Sequence, residues 1–414
     1  MVDIYRHMII SNRKALKIMN LLILTSVYPQ PDELASTPTV EYYCKEWSKQ
    51  GHRIIVIHNS TRFIRLLYHI PKSICDYAAS KLDHPMPTKA TAVFLKREED
   101  GVTIYRLPIF KLLPYKKFSE RTLRKQFDSI CTILEENEFV PDLIIGHWVN
   151  PQVLLLPMLK ERFHAKTSIV FHNDCSDKAV QMLDLKNVIT KIDAVGCRSI
   201  TYAHLVQSKL KLKKEPFVCY SGVPDELVQN NKEGVNSRNQ YIYVGRLVSY
   251  KNVDAIIKAL NKAYKDSEYC FHIIGEGYER DNLETLAQSL GCKEKVVFHG
   301  TKSREEVFDL LSNCGCFIMI SNNETFGMVY VEAMLKGCIT VGSKGGGIDG
   351  VIKDGINGFL CKQGDSEELA KVIEKIRKLN DSEINIIRNN AIETASNMSD
   401  SNVARKYLED VIAY

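Results

Sequence analysis

The 414-residue sequence lacks several features that mark membrane and secreted proteins. Its longest apolar runs, 18–27 and 153–159, fall well short of the ~20 residues that cross a bilayer, so we predict no transmembrane helix. The N-terminus shows no continuous apolar segment with a small-residue cleavage site, which argues against secretion. The twelve cysteines include no CxxC pair, and we expect them to be reduced core thiols of a cytoplasmic protein.

Motifs for metals and common cofactors are also missing. There is no Asp-x-Asp pair and no metal-ligand spacing of histidines, so we expect no divalent metal. The phosphate loop GxxxxGK[ST] does not occur, and Gly275-Glu-Gly277 lacks the third glycine of a dinucleotide fingerprint. A P-loop ATPase and a dehydrogenase are therefore disfavoured, and no resident cofactor is predicted. No aromatic-basic motif supports nucleic-acid binding.

What the sequence does have is an ordinary globular composition, with 45% hydrophobic and 25% charged residues, and a length that suits two domains. Charge is divided unevenly between the halves. Residues 1–220 contain 32 Lys and Arg against 22 Asp and Glu, a net +10, whereas the remainder carries −5. The basic half suggests an anionic partner: nucleic acid, a membrane leaflet or a phosphate-bearing acceptor.

Short runs rich in Ile and Val alternate with helical stretches, which predicts an α/β fold of two doubly wound, Rossmann-like domains facing each other across a cleft. The polar segment 222–240 is predicted to be the linker, and 71–89 an irregular insertion. We predict domains at 1–222 and 223–398. The predicted strands are 20–26, 53–58, 143–146, 168–172, 194–197, 217–219, 241–245, 271–275, 296–300, 317–321, 339–342 and 358–361.

The segment Ser321-Asn-Asn-Glu-Thr-Phe-Gly-Met-Val-Tyr-Val-Glu332 follows a predicted strand and enters a predicted helix. The backbone N–H groups of Phe326, Gly327 and Met328 would form an anion site at the helix N-terminus. Glu324 and Glu332 would lie about 12 Å apart at helical rise, which suits a sugar at one end of a diphosphate and a ribose at the other. The alternative is a surface residue at Glu332 and a helix-entry charge at Glu324.

A second segment, Val244-Gly-Arg-Leu-Val-Ser-Tyr-Lys-Asn252, places Arg246 after a strand and Lys251 at a predicted helix start. A cation at a helix N-terminus is unfavourable unless an anion offsets it. Arg246 and Lys251 could therefore bind a diphosphate and stabilise charge on a departing nucleotide. The alternative is two solvated surface charges.

In the first half, His172 and His147 each end a predicted strand at the cleft. A lone histidine is more often structural, and His147 is interpreted so. A helix over about 118–136 is amphipathic and basic, with Lys117, Arg121 and Arg124 on one side. It could dock on an anionic leaflet, although a core-packed helix with a solvated basic face is the commoner case.

Five blocks in the second half together resemble the retaining glycosyltransferases of family 4, which have the two-domain GT-B architecture. The first half matches weakly, through 20–28, 51–56 and 170–172. The five blocks are Gly245-Arg-Leu-x-x-x-Lys251, Gly275-Glu-Gly277, Val297-Phe-His-Gly300, Glu324-x-Phe-Gly-x-x-x-x-Glu332 and Asp354-Gly-x-Asn-Gly-Phe359.

The resemblance implies a role for each matching position. Arg246 and Lys251 would bind the donor diphosphate next to Gly245, Glu324 would bind the transferred sugar, and Glu332 would bind the ribose. His172 would line the sugar site from the first domain, and the last helix, 399–414, would pack back on that domain. The backbone amides that would hold sugar and phosphate belong to Phe326, Gly327, Met328 and Val329.

Two positions depart from the family pattern. The first loop reads Pro31-Asp-Glu-Leu-Ala-Ser-Thr-Pro38 in place of a Gly-Gly pair, and Gly346-Gly-Ile-Asp-Gly350 has Asp349 near the place of a usual glutamate. The second variant resembles relatives from bacterial capsule, exopolysaccharide and lipopolysaccharide assembly.

The resemblance implies a metal-independent, retaining, hexosyltransferase-type enzyme that uses a nucleotide diphosphate sugar such as a UDP-sugar. The acceptor would be a hydroxyl of a glycan or of a lipid-linked acceptor in bacterial surface polysaccharide synthesis. Peripheral contact with the inner face of the membrane through the first domain is part of this hypothesis; nucleic-acid binding is not. The alternatives are a noncatalytic nucleotide-sugar-binding subunit and a GT-B enzyme of another reaction, an epimerase or a polyglucan synthase.

Overall fold

The computed structural model describes most of the chain from Lys17 to the C-terminus. The described residues are 17–30, 37–63, 70–71, 74, 93–111, 117–231, 234, 237–265 and 267–414. They form two sheets that are parallel except at one edge, with helices between the strands, and the predicted α/β fold class is confirmed.

The first sheet has the strand order β3-β4-β2-β1-β5-β6-β7-β8, in which only β3 and β4 pair antiparallel. Its strands are hydrophobic runs because helices cover both faces, leaving the central strand β1 with five buried residues out of six. The strand bounds are β1 Asn20–Thr25, β2 Arg53–Arg62, β3 Leu95–Glu99, β4 Val102–Phe110, β5 Leu143–His147, β6 Lys166–Phe171, β7 Ala194–Cys197 and β8 Phe217–Val218.

The second sheet is parallel, with the order β11-β10-β9-β12-β13-β14. Strand order therefore reverses between β9 and β12, and open sheets of this kind bind ligands beyond the strand carboxyl ends at that point. The bounds are β9 Ser237–Val244, β10 Cys270–Ile274, β11 Val296–Gly300, β12 Cys314–Ile318, β13 Ile339–Lys344 and β14 Phe359–Lys362.

The α-helices of the described residues are numbered here in chain order. Those before β9 are α1 Thr39–Lys49, α2 Glu120–Glu136, α3 Val149–Phe163, α4 Asp177–Met182, α5 Leu185–Val188, α6 Ile200–Leu210 and α7 Asp225–Gln229. Those after it are α8 Val253–Tyr264, α9 Arg280–Ser289, α10 Arg304–Asn313, α11 Met328–Leu335, α12 Ser366–Lys378, α13 Asp381–Ser396 and α14 Asp400–Ala413.

Two details of the sequence-based organisation were wrong. Strands β3 and β4 were missed, because β3 is a charged edge strand, LKREE, and β4 contains Pro108. The predicted linker 222–240 holds a helix, α7, and the first residues of β9, which extend the strand as Ser237 pairs with Cys314. Of the predicted insertion 71–89, only Pro71 and Ile74 belong to the described residues.

The chain passes between the two sheets at two adjacent places. Val223 and Ser399 form a parallel bridge there, and α14 then packs on the first sheet, with Tyr407 and Leu408 in its core. The indole N–H of Trp47 in α1 donates to the carbonyl of Ala404 at 2.8 Å. The domain boundaries 1–222, 223–398 and 399–414 stay a prediction. In the part of the chain described, no helix combines the length and apolarity needed to cross a membrane.

Candidate functional site

The two cations of the second half lie in one loop after β9. Lys251 ends a short 3-10 turn, Ser249–Lys251, and α8 begins only at Val253, so Lys251 precedes the helix rather than opening it. The guanidinium of Arg246 donates to the hydroxyl of Tyr250 at 2.8 Å, and the ammonium of Lys251 lies 5.4 Å from the centre of the same ring. Tyr250 therefore connects the two predicted phosphate ligands.

Lys251 forms an ion pair with Glu324, which the sequence places 73 residues later. The two side chains are only 12% and 15% exposed. The pair forms because β9 and β12 are neighbours in the sheet, so the loops after their carboxyl ends meet. In support, the backbone N–H of Asn322 donates to the carbonyl of Tyr250 at 2.8 Å. The cation predicted to bind the diphosphate and the carboxylate predicted to bind the transferred sugar are thus in direct contact.

The predicted amide cluster lies at the N-terminus of α11. Gly327 is the residue before this helix and has φ +81°, a backbone conformation that residues other than glycine rarely adopt. A Cβ at Gly327 would meet the Tyr330 ring at 2.6 Å. The N–H groups of Met328 and Val329 belong to the first turn of the helix, where intrahelical acceptors are lacking. Phe326 buries its side chain against Tyr220.

Glu332 lies in α11, whereas Glu324 precedes it, so the helical-rise distance between them does not apply. The Glu332 side chain is 9% exposed and pairs with Arg304 of α10 at 2.6 Å. Nε and Nη2 of Arg304 both donate to Oε1 of Glu332, and Nη1 donates to the Tyr42 hydroxyl in α1 at 2.9 Å. Arg304 therefore joins the predicted ribose ligand to the first half of the molecule.

The glycine loops let this part of the site pack closely. Gly275 and Gly277 lie where a Cβ would collide with the carbonyls of Gly245 and Leu247, both at 2.0 Å. A Cβ at Gly347 would likewise collide with the peptide group that precedes Phe326. Asp349 accepts a hydrogen bond from the N–H of Gly345 at 2.6 Å. Asp349 thus caps the turn that supports the helix entry.

In the first half, His172 and His147 lie together at the carboxyl ends of β6 and β5. Nδ1 of His147 is 2.9 Å from Nε2 of His172, and the His172 ring stacks on Trp148 with centroids 3.9 Å apart. Burial lowers the pKa of His147 to about 3 and that of His172 well below its usual value, so both rings are neutral. The sequence alone indicates a structural role for His147 and does not predict this contact with His172.

A half-buried carboxylate, Asp174, holds the two loops of these histidines together. It accepts hydrogen bonds from the backbone N–H groups of Val149 and His172. Burial raises the pKa of Asp174 to about 6, and these two bonds oppose that effect.

The histidine loops of the first half reach the Glu324 loop of the second. The amide of Asn173 donates to the carbonyl of Asn323 at 3.4 Å, and the hydroxyl of Thr201 donates to the carbonyl of Gly346 at 3.2 Å. Thr39 lies 3.8 Å from the sulfur of Met328. His172 is therefore adjacent to Asn173, whose contact with Asn323 joins the histidine loop to the loop that carries Glu324.

Sequence reasoning missed Tyr250, Arg304, Asp174 and Tyr407 as parts of this site. Tyr250 and Asp174 stand within two residues of recognised positions, which is the only signal the sequence offered for them. Arg304 and Tyr407 come from helices whose approach to the site depends on the tertiary fold. Among the described residues, no group of three or more His, Cys, Asp or Glu side chains is arranged to hold a metal ion.

Residues 225–396 match the family model described as Glycosyl transferases group 1. Solved structures of glycosyltransferases share the architecture over nearly the whole chain. A glycosyltransferase from Rickettsia africae superposes with a TM-score of 0.68 at 15% identity, covering 95% of this chain and 98% of its own. The fold is GT-B.

Several curated relatives are glycosyltransferases by name, and one is a glucosaminyl malate synthase. An uncharacterized glycosyltransferase of Methanocaldococcus jannaschii is 27% identical over 57% of this chain and 65% of its own length. N-acetyl-alpha-D-glucosaminyl L-malate synthase of Bacillus anthracis is 25% identical over 72% of this chain and 79% of its own. The lipopolysaccharide core biosynthesis glycosyltransferase LpsE of Rhizobium meliloti is 34% identical over 32% and 38%.

A further GT-B neighbour was solved with ligands. Anabaena HepE in complex with UDP and glucose has a TM-score of 0.62 at 19% identity, covering 96% of this chain and all of its own. At this identity the likeness concerns the fold.

Proposed function

We propose that the protein is a retaining, metal-independent glycosyltransferase that transfers a hexose from a UDP-sugar or related nucleotide diphosphate sugar. The acceptor is a hydroxyl of a glycan or lipid-linked molecule in bacterial surface polysaccharide synthesis, at the cytoplasmic side of the membrane. The observation that carries the proposal is the ion pair between Lys251 and Glu324 at the strand carboxyl ends, beside the N-terminus of α11.

The donor would lie along the edge of the second sheet. Its diphosphate would replace Glu324 as the partner of the Lys251 ammonium and would also contact Arg246 next to Gly245, while the N–H groups at Gly327 and Met328 bind phosphate or sugar oxygens. Arg304 occupies one oxygen of Glu332, which leaves Oε2 to accept from the ribose hydroxyls. These cations and amides supply the positive charge that a divalent metal provides elsewhere.

The reaction itself needs positioning more than a protein nucleophile. The bond between the anomeric carbon and the phosphate oxygen breaks, and the acceptor oxygen bonds to the same face of that carbon. The acceptor's proton passes to the departing phosphate oxygen, so charge and atoms balance. Glu324, released from Lys251 by the diphosphate, would bind hydroxyls of the transferred sugar opposite His172.

The names of relatives support the proposed substrate classes. HepE binds UDP and glucose, and LpsE is named for lipopolysaccharide core synthesis. The basic first half suits an anionic acceptor or leaflet, and exposed cations of α2, Arg121 and Arg124, lie on that half. The eleven described cysteines form no disulfide, as suits a reducing compartment.

Calorimetry with UDP-, GDP- and ADP-sugars tests the donor, followed by NMR of the product from the donor that binds. We expect one nucleotide to bind in the micromolar range and the product to keep the donor's anomeric configuration. For the variant Lys251→Ala, the matched control is Lys258→Ala, which removes an exposed cation from the next helix. Binding without turnover would instead indicate a noncatalytic subunit, and an inverted product would contradict retention.

A further inference from the structure

Three side chains form a hydrogen-bonded chain from the C-terminal helix to His172. The Tyr407 hydroxyl in α14 lies 3.2 Å from Nε2 of His147, and Nδ1 of His147 lies 2.9 Å from Nε2 of His172. Tyr407 is 1% exposed and His147 is fully buried. Water therefore does not compete for these contacts, and the protons of the buried Tyr407 and His147 must each have a partner among these side chains.

The direction of these hydrogen bonds follows from which atoms of the side chains carry protons and which can accept them. Burial raises the pKa of Tyr407 well above its usual value, so the hydroxyl keeps its proton, and His147 is neutral with one ring proton. Within the described residues, the hydroxyl of Tyr407 makes no hydrogen bond other than the one with His147. Because a buried O–H without an acceptor is costly, Tyr407 donates to Nε2 of His147.

The remaining protons are then fixed in turn. With its Nε2 accepting, His147 carries its proton on Nδ1 and donates to Nε2 of His172. His172, which is also neutral, must carry its own proton on Nδ1. The opposite direction would make His147 donate to Tyr407 and would leave the tyrosine proton without an acceptor.

Neighbouring contacts hold the His172 ring in place. Trp148 stacks on it, and Asp174 accepts from its backbone N–H at 3.0 Å. Trp148 has φ +61°, a conformation that is costly for a side chain of this size and that clusters at functional sites. Among the described residues, none forms a hydrogen bond with Nδ1 of His172, and the ring is partly exposed beside the contact between Asn173 and Asn323.

We propose that Tyr407 and His147 are positioning residues that hold His172 as the Nδ1–H tautomer, so that its ring donates a hydrogen bond to an oxygen of the transferred sugar. The role of the sugar rests on the proposed function, whereas the tautomer does not. The return of α14 to the first sheet would then complete the sugar site as well as the core. A substrate oxygen with free lone pairs, a hydroxyl or a carboxylate, is the class this donor recognises.

The tautomer is measured directly by the ring ¹⁵N chemical shifts of histidine-labelled protein, assigned with His172→Asn. We expect a protonated-type signal for Nδ1 of His172 and an unprotonated-type signal for Nε2. Tyr407→Phe keeps the aromatic ring and removes the donor, so the preference at His172 should be lost or reversed. Tyr414→Phe is the matched control, because its hydroxyl in the same terminal segment donates to the carbonyl of Lys214.

Turnover gives a second measurement. We expect Tyr407→Phe to lower kcat/KM about tenfold, as for one lost neutral hydrogen bond, with unchanged UDP affinity and with Tyr414→Phe at the wild-type rate. A wild-type Nε2–H tautomer at His172, or the same tautomer in Tyr407→Phe, would overturn the proposal. Wild-type protein without turnover on any nucleotide sugar would count against the proposed function, and the ¹⁵N shifts would still decide the tautomer.

Discussion

The two halves of the molecule build the site in different ways. In the second half, Arg246, Lys251, Glu324 and Gly327 come from the loops after two neighbouring strands, β9 and β12. On the side of the first sheet, the contributing groups come from α1, from the ends of β5 and β6, and from α14 near the end of the chain. The first arrangement leaves compact motifs in the sequence, and the second leaves scattered single residues.

The difference shows that a site can be predicted from sequence only where the groups that bind its ligand lie close together in the chain. A phosphate site needs backbone N–H groups and cations in one or two loops, so spacing records it. A hydrogen-bonded chain through a core needs only that three side chains meet, and any three segments can supply them. Substitutions in the local part and in the dispersed part test whether the two differ in their energetic contributions.

The largest effect is expected for Lys251→Ala, which removes a local element. Turnover should fall by about a thousandfold, because a charge that stabilises the leaving phosphate in a sheltered site is lost. Thermal unfolding should change little, and steady-state kinetics beside Lys258→Ala provides the comparison. Near-normal turnover would remove Lys251 from the mechanism and would leave the second half without its main cation.

Gly327→Ala tests the backbone of the same loop. The new Cβ would lie 2.6 Å from the Tyr330 ring at φ +81°, so we expect a loss of about 3 kcal/mol in the free energy of unfolding. Gly291→Ala is the control, since it has φ +69° with nothing within 4 Å and should cost about 1 kcal/mol. Equal urea midpoints for the two variants would show that the helix entry is not tightly packed.

Arg304→Gln sharpens the comparison, because Arg304 bridges both halves. Without it, the buried Glu332 carboxylate loses its partner and the link to Tyr42, so nucleotide affinity should weaken about tenfold in calorimetry. Lys302→Gln, whose partner is the exposed Glu306, should leave affinity unchanged. Stronger binding in Arg304→Gln would mean that Arg304 competes with the ligand for Glu332.

The smallest effect is expected where the halves join, at Asp400. Burial raises the pKa of Asp400 to about 7, so the charged form destabilises the fold above that pH, and the penalty disappears as the pH falls toward 3.8. Asp400→Asn should therefore raise the free energy of unfolding by about 1 kcal/mol at pH 8 and by less at pH 5.

The control for this pH dependence is Asp381→Asn, at the same first position of a helix but exposed. Asp381 and Asp400 interact similarly with a helix dipole, but only Asp400 is buried, so the two variants differ in the effect of burial. A gain at pH 8 in both variants would contradict the burial argument, because the helix dipole favours a carboxylate at this position and cannot supply the gain.

The sequence predicted most of the parallel strands within a few residues, because each is a short run of Ile and Val between polar turns. It missed β3, where Leu95–Glu99 is charged, and it mistook the start of β9 for a linker, because Ser237 and Arg238 are polar. Such edge and extension residues are strands only because a neighbour offers hydrogen bonds. The placement of the site residues by motif stays a prediction until a ligand is bound.

Hydrophobic period and loop chemistry, which are local properties of the chain, determined the α/β class and pointed to the loops at 244–252 and 321–332. Tertiary structure alone decided that Lys251 pairs with Glu324, that Arg304 reaches Glu332 and Tyr42, and that Tyr407 reaches His147. Those contacts depend on strand order and on the return of α14, which are set by burial of the whole core.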